Sequence, residues 1–312
     1  MNASDSPSIY DHMQAAVDIV SQSPHPTSKV AATIAGEGFA FSYTNHWPQI
    51  ILDTIGQETR IGNSSGTIHA ETYCIFSANK HGHPTKHAAI FVTDPPCPNC
   101  MKNIAEAGIN KLYIDHKGFD KDWANRRGDQ FEAMSMRIAE KAGIDVFVLY
   151  RKEQRFEIIS KHHPGYKPSN KDPASIKTYT DWEKAIDSAH KAYPATPFAL
   201  AFAKDKDSND LSLLVDSHPT IGYTSETVEN KQGKYSFILQ PLNRLLMIAA
   251  REGLKLDSQH IYSSRTPTSR ELVNFIGAGQ NTITIGNPEL SRDEHGPAAC
   301  KTLKEYNLLN LC

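Results

Sequence analysis

Along "IYDHMQAAVDIVSQS" the apolar positions Ile9, Met13, Ala16, Val17 and Val20 recur at steps of three and four, the spacing of a helix that buries one face, and "SPHP" stops it. The period then shortens. "VAATIAGEGFAFSY" alternates apolar and polar positions in its second arm about a Gly-Glu-Gly turn, which predicts two short strands. Residues Trp47 to Thr67 carry no period, and a connection of that length tends to be functional or mobile. Next come a helix in "AETYCIFSANKHG", a buried strand in "AAIFVTD", a helix in "NCMKNIAEAG" and a strand in "KLYID". "DQFEAMSMRIAEKAG" predicts one more helix and "IDVFVLY" one more strand, with Gly82, Gly108 and Gly143 as the helix stops.

A helix rather than a tight turn separates "KLYID" from "IDVFVLY", so these strands should lie parallel, joined by a right-handed crossover. The predicted fold class is therefore α/β: a mixed sheet of about five strands, the last two parallel, with helices on its faces. From Lys152 to Lys177 the chain turns polar and aperiodic, with Pro164, Pro168 and Pro173, as a linker does. Beyond it the pattern repeats. "CMKNIAEAGINKLYI" compares with "ELVNFIGAGQNTITI", and "YCIFSANKHG" with "LLMIAAREG"; Gly279 minus Gly108 and Gly253 minus Gly82 both give 171. Two helix stops at one offset predict an internal duplication. The expected organisation is a first domain over residues 1–152, a linker over 153–177 and a second domain over 178–312.

Composition narrows the function. The 312 residues are 39% hydrophobic and 22% charged, as in a soluble globular protein. No apolar run reaches the roughly 20 residues that cross a bilayer, and "MNASDSPSIYDHMQ" lacks a basic segment followed by an apolar one, so a cytoplasmic location is expected. Residues 1–150 hold 12 basic and 16 acidic side chains, which argues against broad polyanion binding through that half. The cysteines are Cys74, Cys97, Cys100, Cys300 and Cys312, an odd number without the spacing of a disulfide framework.

Two of them stand in "PCPNC", downstream of His69 and Glu71 in "IHAETY". Three ligands, His69, Cys97 and Cys100, would leave a fourth tetrahedral position on a zinc ion for water, which is the arrangement of a catalytic site. Both ligand groups stand where helices begin, and the positive helix ends favour thiolate. Glu71, one residue beyond His69, is placed to move protons beside that water rather than to act as a ligand. A C-x-x-C alone would equally suit a redox pair or half of a structural zinc site; a carboxylate beside an open position has no use in either. Cys74 is read as a core residue, and His81, His83 and His87 as solvent-facing.

In that order the residues form the H-x-E…P-C-x-x-C signature of zinc-dependent nucleobase deaminases. With "SPHPTSKVAATI", "TNHWP", "VTDPPCPNCMKNIAEAGI" and "RGDQFEAMSMRIAEKAGIDV", the first half resembles the cytidine and deoxycytidylate deaminase superfamily, and within it the deoxycytidylate branch. The resemblance implies a three-layer α/β/α fold, one catalytic Zn2+ and hydrolytic removal of an amino group from a cytosine nucleotide or nucleoside, with deoxycytidylate favoured. It implies that Asn45 hydrogen-bonds the nucleoside and that the Ala70 N–H meets the base carbonyl. It implies a homo-oligomer with a small-molecule partner; the lack of a long apolar run argues against a membrane partner, and the acidic first half counts against nucleic acid. Ala31 and His46 stand where the family usually has Gly, and His46 with Trp47 would reshape the pocket entrance. Lys29, Arg60, Arg126 and Arg127 are candidates for a phosphate. At the offset of 171, His69 meets Gln240, Glu71 meets Leu242, Cys97 meets Thr268 and Cys100 meets Glu271, so the second half reads as a degenerate, catalytically silent deaminase-like copy, or alternatively an effector-binding module. The competing function is a polynucleotide editor acting on transfer RNA adenosine or single-stranded cytosine, with Trp47 and Tyr73 as stacking rings.

Overall fold

The computed structural model describes residues 7–120, 129–170, 174–178, 181–227 and 235–311. Helix α1 (Ile9–Ile19) opens at Ser8, whose hydroxyl accepts from the Asp11 N–H while the Asp11 carboxylate accepts from the Ser8 N–H. Strands β1 (Ala31–Gly36) and β2 (Phe39–Thr44) follow as the expected hairpin. The aperiodic stretch after Trp47 contains a short helix, α2 (Gln49–Thr54), whose Ile51 is buried in the core; six residues are too few to show a period in the sequence. Then come α3 (Ala70–Lys80), β3 (Ala89–Val92), α4 (Pro98–Glu106), β4 (Lys111–Asp115), the single turn α5 (His116–Phe119), α6 (Asp129–Ala142) and β5 (Asp145–Tyr150).

These strands lie in the order β2-β1-β3-β4-β5, with β3, β4 and β5 mutually parallel. Successive residues of a strand point to opposite faces. Ile90, Leu112 and Val146 accordingly join the core that α3 and α4 cover, while their neighbours Phe91, Tyr113 and Phe147 face α1 and Met13. The latter three stand in register and stack at 4.7 and 4.9 Å between ring centroids. The result is the three-layer α/β/α arrangement.

The second half contains β7 (Ser175–Lys177), α7 (Trp182–Ala192), β8 (Phe198–Lys204), β9 (Asp210–Asp216), the paired β10 (His218–Pro219) and β11 (Ile238–Leu239), then α8 (Pro241–Glu252), β12 (Lys255–Thr266), α9 (Ser269–Gly277), β13 (Thr282–Ser291), α10 (His295–Glu305) and β14 (Asn310–Leu311). Its sheet order β9-β8-β12-β13-β14 reproduces β2-β1-β3-β4-β5 in sequence and in strand direction. Helices α3 and α8 begin at residues 70 and 241, and α4 and α9 at 98 and 269, an offset of 171 in both cases. The duplication is thus one of fold. Among the described residues no helix is long and apolar enough to cross a membrane.

Residues 153–177, expected as a linker, supply an edge strand to each sheet. Strand β6 (Arg155–Ser160) pairs antiparallel with β5, and β7 with β9, so both sheets have six strands rather than five. Strand β6 is exposed on both faces, including Phe156, Ile158 and Ile159, and an edge strand of that kind has no alternation to betray it.

The two halves share one core, with residues of α3 and α4 and of α8 and α9 in a single buried cluster. Buried polar bonds cross the join. The Lys102 ammonium donates to Ser236 O at 2.7 Å and Ile238 O at 3.0 Å, and the Thr85 N–H donates to Ala250 O at 3.0 Å. The segment between α2 and α3 docks on the second half at Gly62, which has φ +57°; a Cβ there would lie 2.2 Å from Ser269 Oγ and 2.5 Å from His295 O. Gly62→Ala therefore combines a left-handed backbone with a clash against a main-chain oxygen, and should cost about 1–3 kcal/mol. The check is a urea titration, in which the midpoint falls with the slope unchanged.

Candidate active site

Local sequence dictates where the reactive side chains stand. His69 is the residue before the first turn of α3, in extended conformation, and Ala70 and Glu71 open that turn. Cys97 holds the same place in α4: Pro98 fixes the first helical residue, and Cys97 Sγ accepts from the Cys100 N–H at 3.5 Å. The preceding strand β3 ends at Val92, and α3 and α4 pack side by side on its sheet, so two helix N-termini face one point. Their unpaired N–H groups make that point positive, which suits sulfur anions.

His69 Nδ1 lies 3.6 Å from Cys97 Sγ and 3.2 Å from Cys100 Sγ, and the three donor atoms fall within 4.8 Å of one another. Zn–S bonds near 2.3 Å and Zn–N bonds near 2.0 Å at tetrahedral angles would separate S from N by about 3.5 Å. The donor set and spacing therefore fit zinc. Among the described residues this is the one cluster of His, Cys, Asp and Glu able to hold a metal. Cys97 and Cys100 are 4% and 2% exposed. The hydrogen bond from Cys100 draws the Cys97 thiol well below its ordinary range, so the pair gives up its first proton readily.

Glu71 is 3% exposed. Burial pushes its carboxyl up to about 7, against the pull of His69, while the nearby Cys97 pushes the same way as burial. A carboxyl poised there takes up and releases protons near neutrality.

The other candidates read from the sequence have definite places. Asn45 is buried, and its side chain is largely occupied: Oδ1 accepts from Ser23 Oγ at 2.8 Å and Val30 N at 2.9 Å, and Nδ2 donates to Ser28 O at 2.8 Å. It ties the segment after α1 to the end of β2. His46 bonds through Nδ1 to Thr44 O at 2.8 Å and meets Tyr73 edge-on, 4.3 Å between centroids. Trp47 is 6% exposed and donates through Nε1 to Ser65 O at 2.8 Å, so it forms part of the wall rather than an open stacking surface. Lys29 is tied to Ser21 O, Arg60 is exposed, and Arg126 and Arg127 lie outside the described residues. Cys74 is fully buried and donates to Ala32 O. The ring of His83 is half-buried, stacked on Phe39 at 4.6 Å.

Sequence reasoning missed two contributions from the second half. Tyr235 packs against Cys97 and Cys100. Arg270 donates to Thr67 O at 2.5 Å, two residues before His69. No motif marks Tyr235; Arg270 corresponds through the offset of 171 to Asn99, inside the C-x-x-C, where the repeat pointed. In the second half the corresponding place is closed by Glu271. Its carboxylate accepts from Thr268 N and Thr268 Oγ1, both at 2.8 Å, and from Leu242 N at 2.9 Å, so one side chain joins the N-termini of α8 and α9. Gln240, in the place of His69, accepts from Arg265 Nη2 at 2.7 Å.

Residues 7–116 match the family model described as the cytidine and deoxycytidylate deaminase zinc-binding region. An uncharacterized deaminase from the luxG 3' region of Aliivibrio fischeri is 29% identical over 127 residues, 40% of this chain and 82% of the relative. The deoxycytidylate deaminase of Enterobacteria phage T4 is 37% identical over 90 residues, which span 29% of this chain and 42% of that enzyme. The crystal structure of dCMP deaminase from the cyanophage S-TIM5 in apo form is 23% identical, with a TM-score of 0.35, over 46% of this chain and 99% of that one. Over residues 7–116, then, this chain matches the zinc-binding region of the cytidine and deoxycytidylate deaminases, the family its motifs resemble.

Proposed function

We propose that this protein is a zinc-dependent hydrolytic deaminase that converts a cytosine nucleotide or nucleoside, with deoxycytidylate favoured, to its uracil form and ammonia. The observation that carries this reading is the convergence of one imidazole and two thiols on a single point with a buried carboxyl against them. The names of the phage relatives favour deoxycytidylate within that class.

His69, Cys97 and Cys100 would hold the ion, which when bound would supply the activation that makes water a nucleophile at neutral pH. Glu71 would accept one proton from the attacking water and deliver it to the ring nitrogen of the base, then take the second proton from the hydroxyl added to the ring and pass it to the departing amino group, which leaves as ammonia. The Ala70 N–H, free of an intrahelical partner at the first turn of α3, is directed to the base carbonyl. Asn45 fixes the loop that borders the nucleoside, with one amide hydrogen left to donate. Catalysis belongs to the unit over residues 1–152. The unit over 178–312, with Gln240, Leu242, Thr268 and Glu271 in the corresponding places, is silent and supports the first.

The test is ammonia release from cytidine, deoxycytidine, their 5'-monophosphates, cytosine and a single-stranded oligonucleotide, with zinc content measured on the same preparation. Deoxycytidylate should react fastest, dialysis against a chelator should remove activity, and added zinc should restore it. Release from the oligonucleotide alone, falling steeply with salt, would instead establish the editing activity.

A further inference from the structure

A row of four buried polar side chains crosses the join between the halves. Asn274, Asn243, Asn103 and Thr72 are 2%, 7%, 3% and 2% exposed. Asn274 Nδ2 donates to Asn243 Oδ1 at 2.7 Å, Asn243 Nδ2 donates to Asn103 Oδ1 at 2.5 Å, and Asn103 Nδ2 donates to Thr72 Oγ1 at 3.0 Å. Thr72 Oγ1 lies 3.8 Å from Cys100 Sγ. Each amide passes its donor in the same direction, so the Thr72 oxygen is already an acceptor and its own proton is left for the sulfur.

Burying four polar groups at a helix junction costs free energy that an apolar set would not incur. Once buried, a one-way chain polarises along its length and strengthens its last bond. The duplication sharpens the point. Through the offset of 171, Asn103 corresponds to Asn274 and Thr72 to Asn243. The two copies differ in this row only where the hydroxyl of Thr72 replaces the amide of Asn243, and that is the position that faces a sulfur. In the second half the corresponding group is the Glu271 carboxylate, which accepts from the Asn243 N–H at 3.4 Å rather than from its side chain.

We propose that the second half takes part in the metal site: Asn243 and Asn274, acting through Asn103 and Thr72, direct a hydrogen bond onto Cys100 Sγ and are positioning residues for that ligand. The proposal rests on the zinc-deaminase reading above. A hydrogen bond to sulfur lowers its electron donation, holding the thiolate stable as an anion and the bound ion electrophilic. Residues in this relation to a ligand commonly govern affinity by 10- to 100-fold.

The experiment is cobalt(II) binding to the full chain, followed by the sulfur-to-cobalt charge-transfer band and by competition with a chromophoric chelator. Asn243→Leu and Thr72→Val should both move the band to longer wavelength and weaken cobalt binding by about tenfold. Asn274→Leu, one link further out, should do the same to a smaller degree, and it replaces Asn243→Leu in the comparison if the latter loses its cooperative unfolding transition. A band shift in Thr72→Val with none in either asparagine variant overturns the chain across the join, as does an unchanged band in all three. If the unsubstituted protein takes up no cobalt, the zinc-deaminase reading fails first and this proposal with it.

Discussion

Glu71→Gln should lower kcat for deoxycytidylate by about 10²- to 10⁴-fold, the range that a positioned proton carrier contributes, while leaving the zinc content of the protein unchanged. Gln fills the same volume at the second residue of α3 and still offers a hydrogen-bonding oxygen, so the fold has no reason to move. What it loses is the ability to hold a proton and give it back. That ability depends on burial: Glu71 lies against the two thiols with 3% of its surface exposed, and its carboxyl is pushed up to about 7. The outcome separates a catalytic site from a structural one. A metal that only braced α3 and α4 would tolerate the substitution with undiminished turnover. A variant that loses both zinc and activity would show instead that Glu71 belongs to the metal-holding set. Metal analysis and initial rates on one preparation distinguish these results.

The first five strands of the first sheet are legible in the sequence because each is either a buried apolar run or half of a tight hairpin, and glycines mark the helix ends. Gly82, Gly108 and Gly253 each adopt the positive φ that a helix stop uses. The metal-site candidates were legible for a related reason. His69 and Cys97 are helix-start residues, and in both cases the signature is written within a few positions of a predicted boundary. Strand β6 was not, since an exposed edge strand alternates with nothing. Nor was the part the second half plays around the site. Tyr235, Arg270 and Asn243 reach it across more than 130 residues of chain, and only packing brings them there. Asn103 and Asn274 do coincide in the aligned repeat, which shows that a pair is kept at the same turn of both helices. That the pair meets through Asn243 is a property of how α4, α8 and α9 cross, and no local pattern carries it.

The same join determines the second large effect: Arg244→Leu should destabilise the protein by about 3–5 kcal/mol, the usual consequence of leaving buried carboxylates without their cation. Arg244 stands in the second turn of α8. Its Nε donates to Glu106 Oε1 at 2.8 Å and its Nη1 donates to the Asp216 carboxylate, with side chains 3% and 4% exposed at Arg244 and Glu106. Glu106 is the last residue of α4, where the negative end of the helix already disfavours an anion, so the guanidinium offsets both charges there. Leu removes the cation without removing the need for it. The pair spans the two halves, so its loss should also lower the thermal midpoint by roughly 10 °C in a single transition. Denaturant titrations of Arg244→Leu, Glu106→Gln and the double variant resolve the cause. With the charge on Glu106 gone as well, the double variant should be less destabilised than the two single losses added together. Strict additivity would mean that Arg244 acts through Asp216 and its apolar stem rather than through Glu106, and a cost below about 1 kcal/mol would mean that the pair behaves like an exposed one.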